Sequence, residues 1–316
     1  MKAFGDGWVQ LRTEYLQTCG LPLWIHALPH DDGVLLLDSG VAETPERSLR
    51  AELDVAGLRI EAVDIVVNSH AHPDHMGGNS ELARIASPVF AGPAAEAGWL
   101  EDNDLLVDEL WEPSPDAYRL DDAARVDLED QLGERVRVER LLRDGDTVEV
   151  SAASLTVVST SGHSPGHIAV HDAARGLLFT FDDVQGSGVP IAGTSTWLAP
   201  LYHDLRRYRR GLERLLDLDF ELLVPSHGDP LDATAGSARI RESLAFVDRV
   251  EEFVDREVGG RDDVGLAELA TAIGTRLGPY GGLNLQTTSV ARAHLDDLVR
   301  RGLATTRWHL TREETP

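Results

Sequence analysis

Over its first two-thirds the chain alternates short apolar runs with stretches of helical spacing, punctuated by Gly, Pro and acidic turns. The run at 34–38 is continuously apolar up to Asp38 and closes on Ser39-Gly40, the pattern of a buried strand ending in a turn. Thr44-Pro45 then opens a helix, with Thr44 as N-cap and Pro45 at the first helical position. A second strand at 63–67 feeds directly into a His-rich turn. Gly77-Gly78 follows, then a short helix through Ile85 and a strand from Val89 that Gly92-Pro93 cuts off. Further β-type runs stand at 147–150, 155–158, 167–171, 177–181 and 221–224, and helical spacing at 204–216 and about 235–257. Strands mixed with helices, without strict alternation, predict an α/β chain in which two sheets are sandwiched between helices.

Two segments depart from that rhythm. An insertion at about 94–140 carries thirteen acidic residues against two arginines between 101 and 134. Such a tract without apolar residues would be disordered, but Leu105, Leu106, Val107, Leu110, Trp111 and Tyr118 give it helical spacing. It is expected to be an ordered helical insertion, serving as a solvated face or as a lid or partner surface. After Gly259-Gly260 come two amphipathic stretches, 264–277 and 288–301, and a hairpin-like 302–310. Helix, helix and small hairpin predict a winged-helix-like unit at 259–316 behind a main domain at 1–258.

Composition narrows the picture further. The 316 residues bear a formal net charge of −25, which disfavours nucleic acid because phosphate backbones are bound by Lys and Arg. The one cysteine, Cys19, allows no internal disulfide and reads as a small packed hydrophobe. Neither a leader-like apolar segment at the N-terminus nor a membrane-length run is visible, so a cytoplasmic location is expected.

Candidate chemistry lies in the histidines. Six of the twelve fall in two windows, His70, His72 and His75 and then His163, His167 and His171. In His70-Ala-His72-Pro-Asp74-His75, two histidines two apart share one side of an extended segment. Pro73 then turns the chain so that Asp74 and His75 address a neighbouring point. Two pairs of ligands cannot close two metal sites, since each needs at least three plus an open position for water. His163, Asp182 and His227, each at a strand end beside a turn, are the candidates for the remainder.

The HxHxDH string, a GHSPGH segment, an Asp after LFT and a final SHG follow one another in this order, and together they resemble the metallo-β-lactamase superfamily. The resemblance covers roughly residues 20–230. It implies an αββα sandwich and two divalent metal ions, zinc foremost, with iron or manganese as alternatives. Carried onto this chain, it puts His70, His72 and His163 on the first ion and Asp74, His75 and His227 on the second, bridged by Asp182. The family's bridging Asp usually follows a Gly; here it follows Phe181, and the adjacent Asp183 competes for the role. His167 would lie beside the site and His171 would be structural, while His26, His30, His203, His294 and His309 show no ligand spacing. Asp38 is either an acceptor behind a ligand or a turn-capping residue. Asp74 and His75 would hold the attacking water's metals, Tyr202 could offer its hydroxyl to substrate, and Tyr208 should pack.

The implied reaction is hydrolysis by water made acidic between two ions, which needs no serine nucleophile and agrees with the missing G-x-S-x-G turn. A small acyl compound, whether thioester, ester or lactone, is the expected substrate. Phosphodiesterase or nuclease activity on the same fold and iron-dependent oxygen chemistry are the alternatives. The C-terminal unit is expected to pack on the hydrolase domain or support a homodimer rather than bind DNA.

Overall fold

The computed structural model describes residues 2–4, 7–15, 21–112 and 114–305. Cys19 and most of the expected hairpin at 302–310 lie outside them. Seven strands form the first sheet in simple chain order: β1 (Lys2–Phe4), β2 (Trp8–Tyr15), β3 (Leu21–Pro29), β4 (Val34–Leu37), β5 (Val63–Val67), β6 (Val89–Pro93) and β7 (Arg140–Leu142). β1 to β4 pair antiparallel and β4 to β7 parallel. The second sheet uses β8 (Thr147–Val150), β9 (Ala153–Ser159), β10 (Ile168–Asp172) and β11 (Leu177–Phe181). After a small hairpin of β12 (Val189–Pro190) and β13 (Trp197–Leu198), β14 (Leu222–Pro225) and β15 (Leu231–Asp232) complete it in the order β15-β14-β11-β10-β9-β8. Ten α-helices accompany the strands among the described residues. They are α1 (Arg50–Val55), α2 (Pro73–Met76), α3 (Asn79–Ile85), α4 (Ala97–Glu101), α5 (Asn103–Leu106), α6 (Asp122–Leu132), α7 (Leu205–Leu216), α8 (Ala233–Val258), α9 (Leu266–Arg276) and α10 (Leu285–Arg300).

Period-two alternation sorts the apolar side chains into layers. Leu35 and Leu37 of β4, with Ile168 and Val170 of β10 and Leu177, Phe179 and Phe181 of β11, fill the space between the sheets. Their neighbours point outward: Val34 and Leu36 meet Leu49, Leu53 and Leu82 under α1 and α3. Val158, Ala169, Leu178 and Leu223 meet α7 to α10. Helices therefore cover both outer faces, giving the αββα sandwich. Across the middle layer Trp8 Nε1 donates to Asp172 Oδ2 at 3.0 Å, and Arg175 balances that buried carboxylate at 2.9 Å.

Leu269, Ala270, Ile273, Val290 and Ala291 of α9 and α10 share one apolar cluster with the second sheet and with α7 and α8. Thr44 precedes the helical turn at Pro45–Leu49 as expected, yet its side chain makes no cap bond because its backbone is itself helical. The acidic insertion is helical and packs inward, Leu100, Leu106, Val107, Leu110, Leu128 and Leu132 meeting Ala71 and Met76 of the His-rich segment. No helix among the described residues is long and apolar enough to cross a membrane.

Candidate metal centre

The loops that leave β4, β5, β11 and β14 supply Asp38, His70 to His75, Asp182 and His227, while the β9–β10 connection supplies His163. Because β4 runs parallel to β5 and β11 parallel to β14, these loops emerge on a common rim. Three non-glycine residues there adopt left-handed backbone: Asp38 (φ 66°), Ser161 (φ 49°) and Phe181 (φ 47°). At Phe181 this is the conformation a glycine would take without strain, and it coincides with a register shift between β11 and β14. The ring is anchored between the sheets at 2% exposure, so packing holds the strained turn that aims the next residue, Asp182, at the rim.

Two groups of side chains present ligand atoms within 4.8 Å of one another, His70 with His72 and His163, and Asp74 with His75, Asp182 and His227. In the first group His163 Nε2 stands 3.1 Å from His72 Nδ1. In the second, His227 Nε2 is 3.2 Å and His75 Nε2 3.6 Å from Asp74 Oδ2. Asp182 Oδ2 lies between the groups, 3.5 Å from His75 Nε2, 3.5 Å from His227 Nε2 and 3.8 Å from His163 Nε2. A tetrahedral cation with metal–nitrogen bonds of about 2.0–2.1 Å sets its ligand atoms about 3.3 Å apart. These separations fit it. His70 Nε2, His75 Nε2 and Asp182 Oδ1 are moreover buried with no hydrogen-bond partner, as atoms awaiting a cation would be. Asp183, the competing carboxylate, turns away, its Oδ2 lying 2.6 Å from His167 Nδ1.

The groups behind the ligands decide which ring nitrogen is bare. His163 Nδ1 is 3.1 Å from the Leu201 carbonyl and His227 Nδ1 is 3.2 Å from the Pro22 carbonyl. A carbonyl only accepts, so Nδ1 carries a proton and Nε2 is the nitrogen turned towards a metal. His75 Nδ1 donates to Asp38 Oδ2 at 2.8 Å. Asp38 also accepts from the Ser69 amide (2.7 Å) and hydroxyl (3.0 Å), and Ser69 Oγ stands 2.9 Å from His70 Nδ1. Of the two roles expected for Asp38, it is the acceptor behind ligands that the hydrogen bonds describe.

Electrostatically the two groups differ. Burial, then mutual repulsion, holds His70 and His72 well below the ordinary imidazole range, and burial lowers His163 to about 4. Burial also opposes charge on His227, but Asp182 and Asp74 outweigh it and hold the imidazole up to about 10. His75 is raised in the same way by Asp74, Asp182 and Asp38.

Several residues outside the motif shape the centre. Glu96, 1% exposed, accepts from the Ala71 amide at 2.7 Å through Oε2, and from the Gly166 amide at 2.6 Å and the Ser164 hydroxyl through Oε1. It thus ties the two loops that carry the first ligand group, a role no spacing in the sequence announces. His167 is bonded to Thr160 Oγ1 at 3.0 Å and packs its ring 4.7 Å from that of His70. His171 Nε2 donates to the Asp219 carbonyl, a structural contact.

Tyr202 departs from its expected place. It is fully buried, stacks on Tyr208 at 4.7 Å and gives its hydroxyl to His294 Nε2 at 2.8 Å, inside the cluster under α10. Its neighbour His203, passed over for want of ligand spacing, lies on the side of the ligands instead, its amide bonded to the Gly162 carbonyl at 3.1 Å. Gly162 is required there, since a Cβ would meet Tyr208 Cα at 2.4 Å.

Comparison with known proteins places this geometry. The family profile described as the metallo-beta-lactamase superfamily matches residues 23–227, from β3 through the last histidine of the centre. The acyl-coenzyme A thioesterase MBLAC2 of Bos taurus is 28% identical over 246 residues, covering 72% of this chain and 80% of that protein. A hydroxyacylglutathione hydrolase of Hyphomonas neptunium is 27% identical over 145 residues, 45% of this chain and 42% of its own length. Among solved structures, a metallo-beta-lactamase family protein from Thermus thermophilus superposes with a TM-score of 0.74 at 21% identity, covering 94% of each chain. At that identity the likeness is one of fold, and it extends over nearly the whole chain.

Proposed function

The chain belongs to the metallo-beta-lactamase superfamily, and within it we propose a hydrolase that cleaves a small acyl substrate, a thioester foremost, at a centre holding two divalent cations. One observation carries this reading: a single oxygen, Asp182 Oδ2, stands 3.5–3.8 Å from histidine nitrogens of both ligand groups. His70, His72 and His163 would hold one cation, Asp74, His75 and His227 the other, and Asp182 both. Imidazole and carboxylate donors in tetrahedral spacing suit zinc. Cations so held supply a Lewis acid for the substrate carbonyl and a water acidified towards neutral pH.

The chain's own residues prepare that chemistry. Asp38, Leu201 and Pro22 fix the tautomers of His75, His163 and His227, so no reorganisation of these rings is needed at the moment of reaction. Trp111 from the insertion sets its ring 5.5 Å from that of His72 and helps to keep bulk water from the first ligand group. The net charge of −25 works against polyanions such as nucleic acid. A relative named as an acyl-coenzyme A thioesterase, at 28% identity, supports a thioester over a lactone or phosphodiester.

The test combines metal content with turnover on one sample. Purified protein should contain close to two zinc ions per chain and prefer acyl thioesters over lactones and bis-aryl phosphodiesters, and His72→Ala should abolish hydrolysis without unfolding. Preference for the phosphodiester, or copurified iron with oxygen uptake, would overturn the reading.

A further inference from the structure

Two buried polar atoms beside the first ligand group are unaccounted for by the centre itself. Trp111 Nε1 and His203 Nε2 are both shielded from solvent, and neither has a hydrogen-bond partner. Buried polar groups are nearly always matched, so an unmatched pair points to a partner that arrives from outside. The two come from different elements. Trp111 ends the helical turn at Val107–Trp111 in the acidic insertion, with its ring 5.5 Å from that of His72. His203 follows Leu201, whose carbonyl receives His163 Nδ1, and its own amide is bonded to the Gly162 carbonyl at 3.1 Å. A third element closes the same side: Arg292 of α10 donates to Ser114 Oγ of the insertion at 2.8 Å, with Asp296 at 3.6 Å.

We propose that Trp111 and His203 are a recognition pair for a carboxylate on the substrate's acyl group, with the Arg292 guanidinium as the nearby positive charge. The proposal rests on the acyl-hydrolase reading above. An indole N–H can only donate, so its missing partner is an acceptor. His203 Nε2 is likewise unmatched, and with the proton of the neutral ring on that nitrogen it is a second donor. Two donors beside a guanidinium select an anionic oxygen, a notable local preference in a chain of net charge −25. Because Trp111 stands beside His72 and the His203 amide is bonded to the residue before His163, a carboxylate held there would leave the other end of a short acyl chain at the ligand groups. The substrate class so defined is the short dicarboxylic acyl thioester.

The test compares succinyl and butyryl thioesters of N-acetylcysteamine, which are close in size and differ in the terminal carboxylate. With zinc-loaded protein, Trp111→Phe and His203→Phe should each lower the succinyl-to-butyryl ratio of kcat/KM by about tenfold, chiefly through KM, as for loss of a hydrogen bond to a charged group. Zinc content should stay at the wild-type level. An unchanged ratio, with both substrates slowed alike, would reduce the pair to packing and overturn the proposal, as would a wild-type preference for butyryl. Should wild type hydrolyse neither thioester, the acyl-hydrolase reading fails on its own account. The pair is then judged by succinate titration of zinc-loaded protein, followed by tryptophan fluorescence. Binding about tenfold weaker in His203→Phe supports it, and equal binding overturns it.

Discussion

Glu96→Gln isolates one contact of the clamp behind the first ligand group. The glutamate makes three bonds, two to Oε1 (Gly166 amide and Ser164 hydroxyl) and one to Oε2 (Ala71 amide, 2.7 Å). A glutamine that keeps its oxygen towards Ser164 and Gly166 must face the Ala71 N–H with an NH2 group, donor against donor. A bond to a charged acceptor contributes roughly 1.5–3 kcal/mol, and a buried N–H left unmatched costs roughly 1–3 kcal/mol. These overlap, so a loss of about 3 kcal/mol is expected, concentrated on the residue between His70 and His72. Burial pushes the Glu96 carboxyl up from its ordinary range against these same donors, so part of their strength already offsets desolvation. The consequence for metal is a weaker first group, by about 10- to 100-fold as for other groups that orient ligands. Urea unfolding of metal-free protein gives the first figure, and zinc competition against a chromophoric chelator gives the second. If Glu96→Gln unfolds within about 0.5 kcal/mol of wild type, inside the range of an ordinary surface change, and binds zinc with unchanged affinity, the clamp argument is wrong.

Three other substitutions separate neighbouring roles. Tyr202→Phe removes the 2.8 Å bond to His294 inside the core and should cost about 1–2 kcal/mol in urea unfolding while leaving kcat unchanged. A fall in kcat at constant stability would return Tyr202 to the substrate side. Asp182→Asn should lower the bound zinc to about one ion per chain, because the shared oxygen is lost, whereas Asp183→Asn should keep both ions and disturb only the His167 contact. The reverse pattern in metal analysis would exchange the two carboxylates.

What the sequence made legible follows from the range of each interaction. The HxHxDH string is local: its ligands sit within six residues of one turn, and period and proline alone bring them together. Asp182 and Asp183 could not be ranked with certainty from spacing, because adjacent carboxylates after LFTF are equivalent until the backbone turns. The φ of 47° at Phe181, held by packing between the sheets, aims Asp182 at the ligands. The same one-residue alternation parts Tyr202, in the core, from His203, beside the ligands. Strands β2 and β3 went unread because buried Gln10, Thr13 and His26 interrupt their apolar pattern. α10 begins earlier than the apolar spacing indicates, since Asn284 and Thr287 form a reciprocal cap there. Glu96 acts on Gly166 across seventy positions, and only tertiary structure reveals such a contact.

The contrast between the ligand groups carries a consequence for metal loading. A cation needs the bare imidazole, so every proton it displaces makes its affinity rise about tenfold per pH unit below that histidine's pKa. In the first group burial keeps all three histidines neutral, His163 with a pKa of about 4, so no proton is displaced above about pH 5. In the second group Asp182 and Asp74 hold the proton on His227 up to about 10, and Asp74, Asp182 and Asp38 raise His75 as well. A cation entering there must release those protons throughout the neutral range. Zinc titration between pH 5.5 and 7.5 should therefore resolve two steps, the tighter nearly flat with pH and the weaker strengthening at least tenfold per unit, with matching proton release in weakly buffered solution. Equal pH dependence of both steps would mean that the carboxylates of the second group do not hold its histidines protonated.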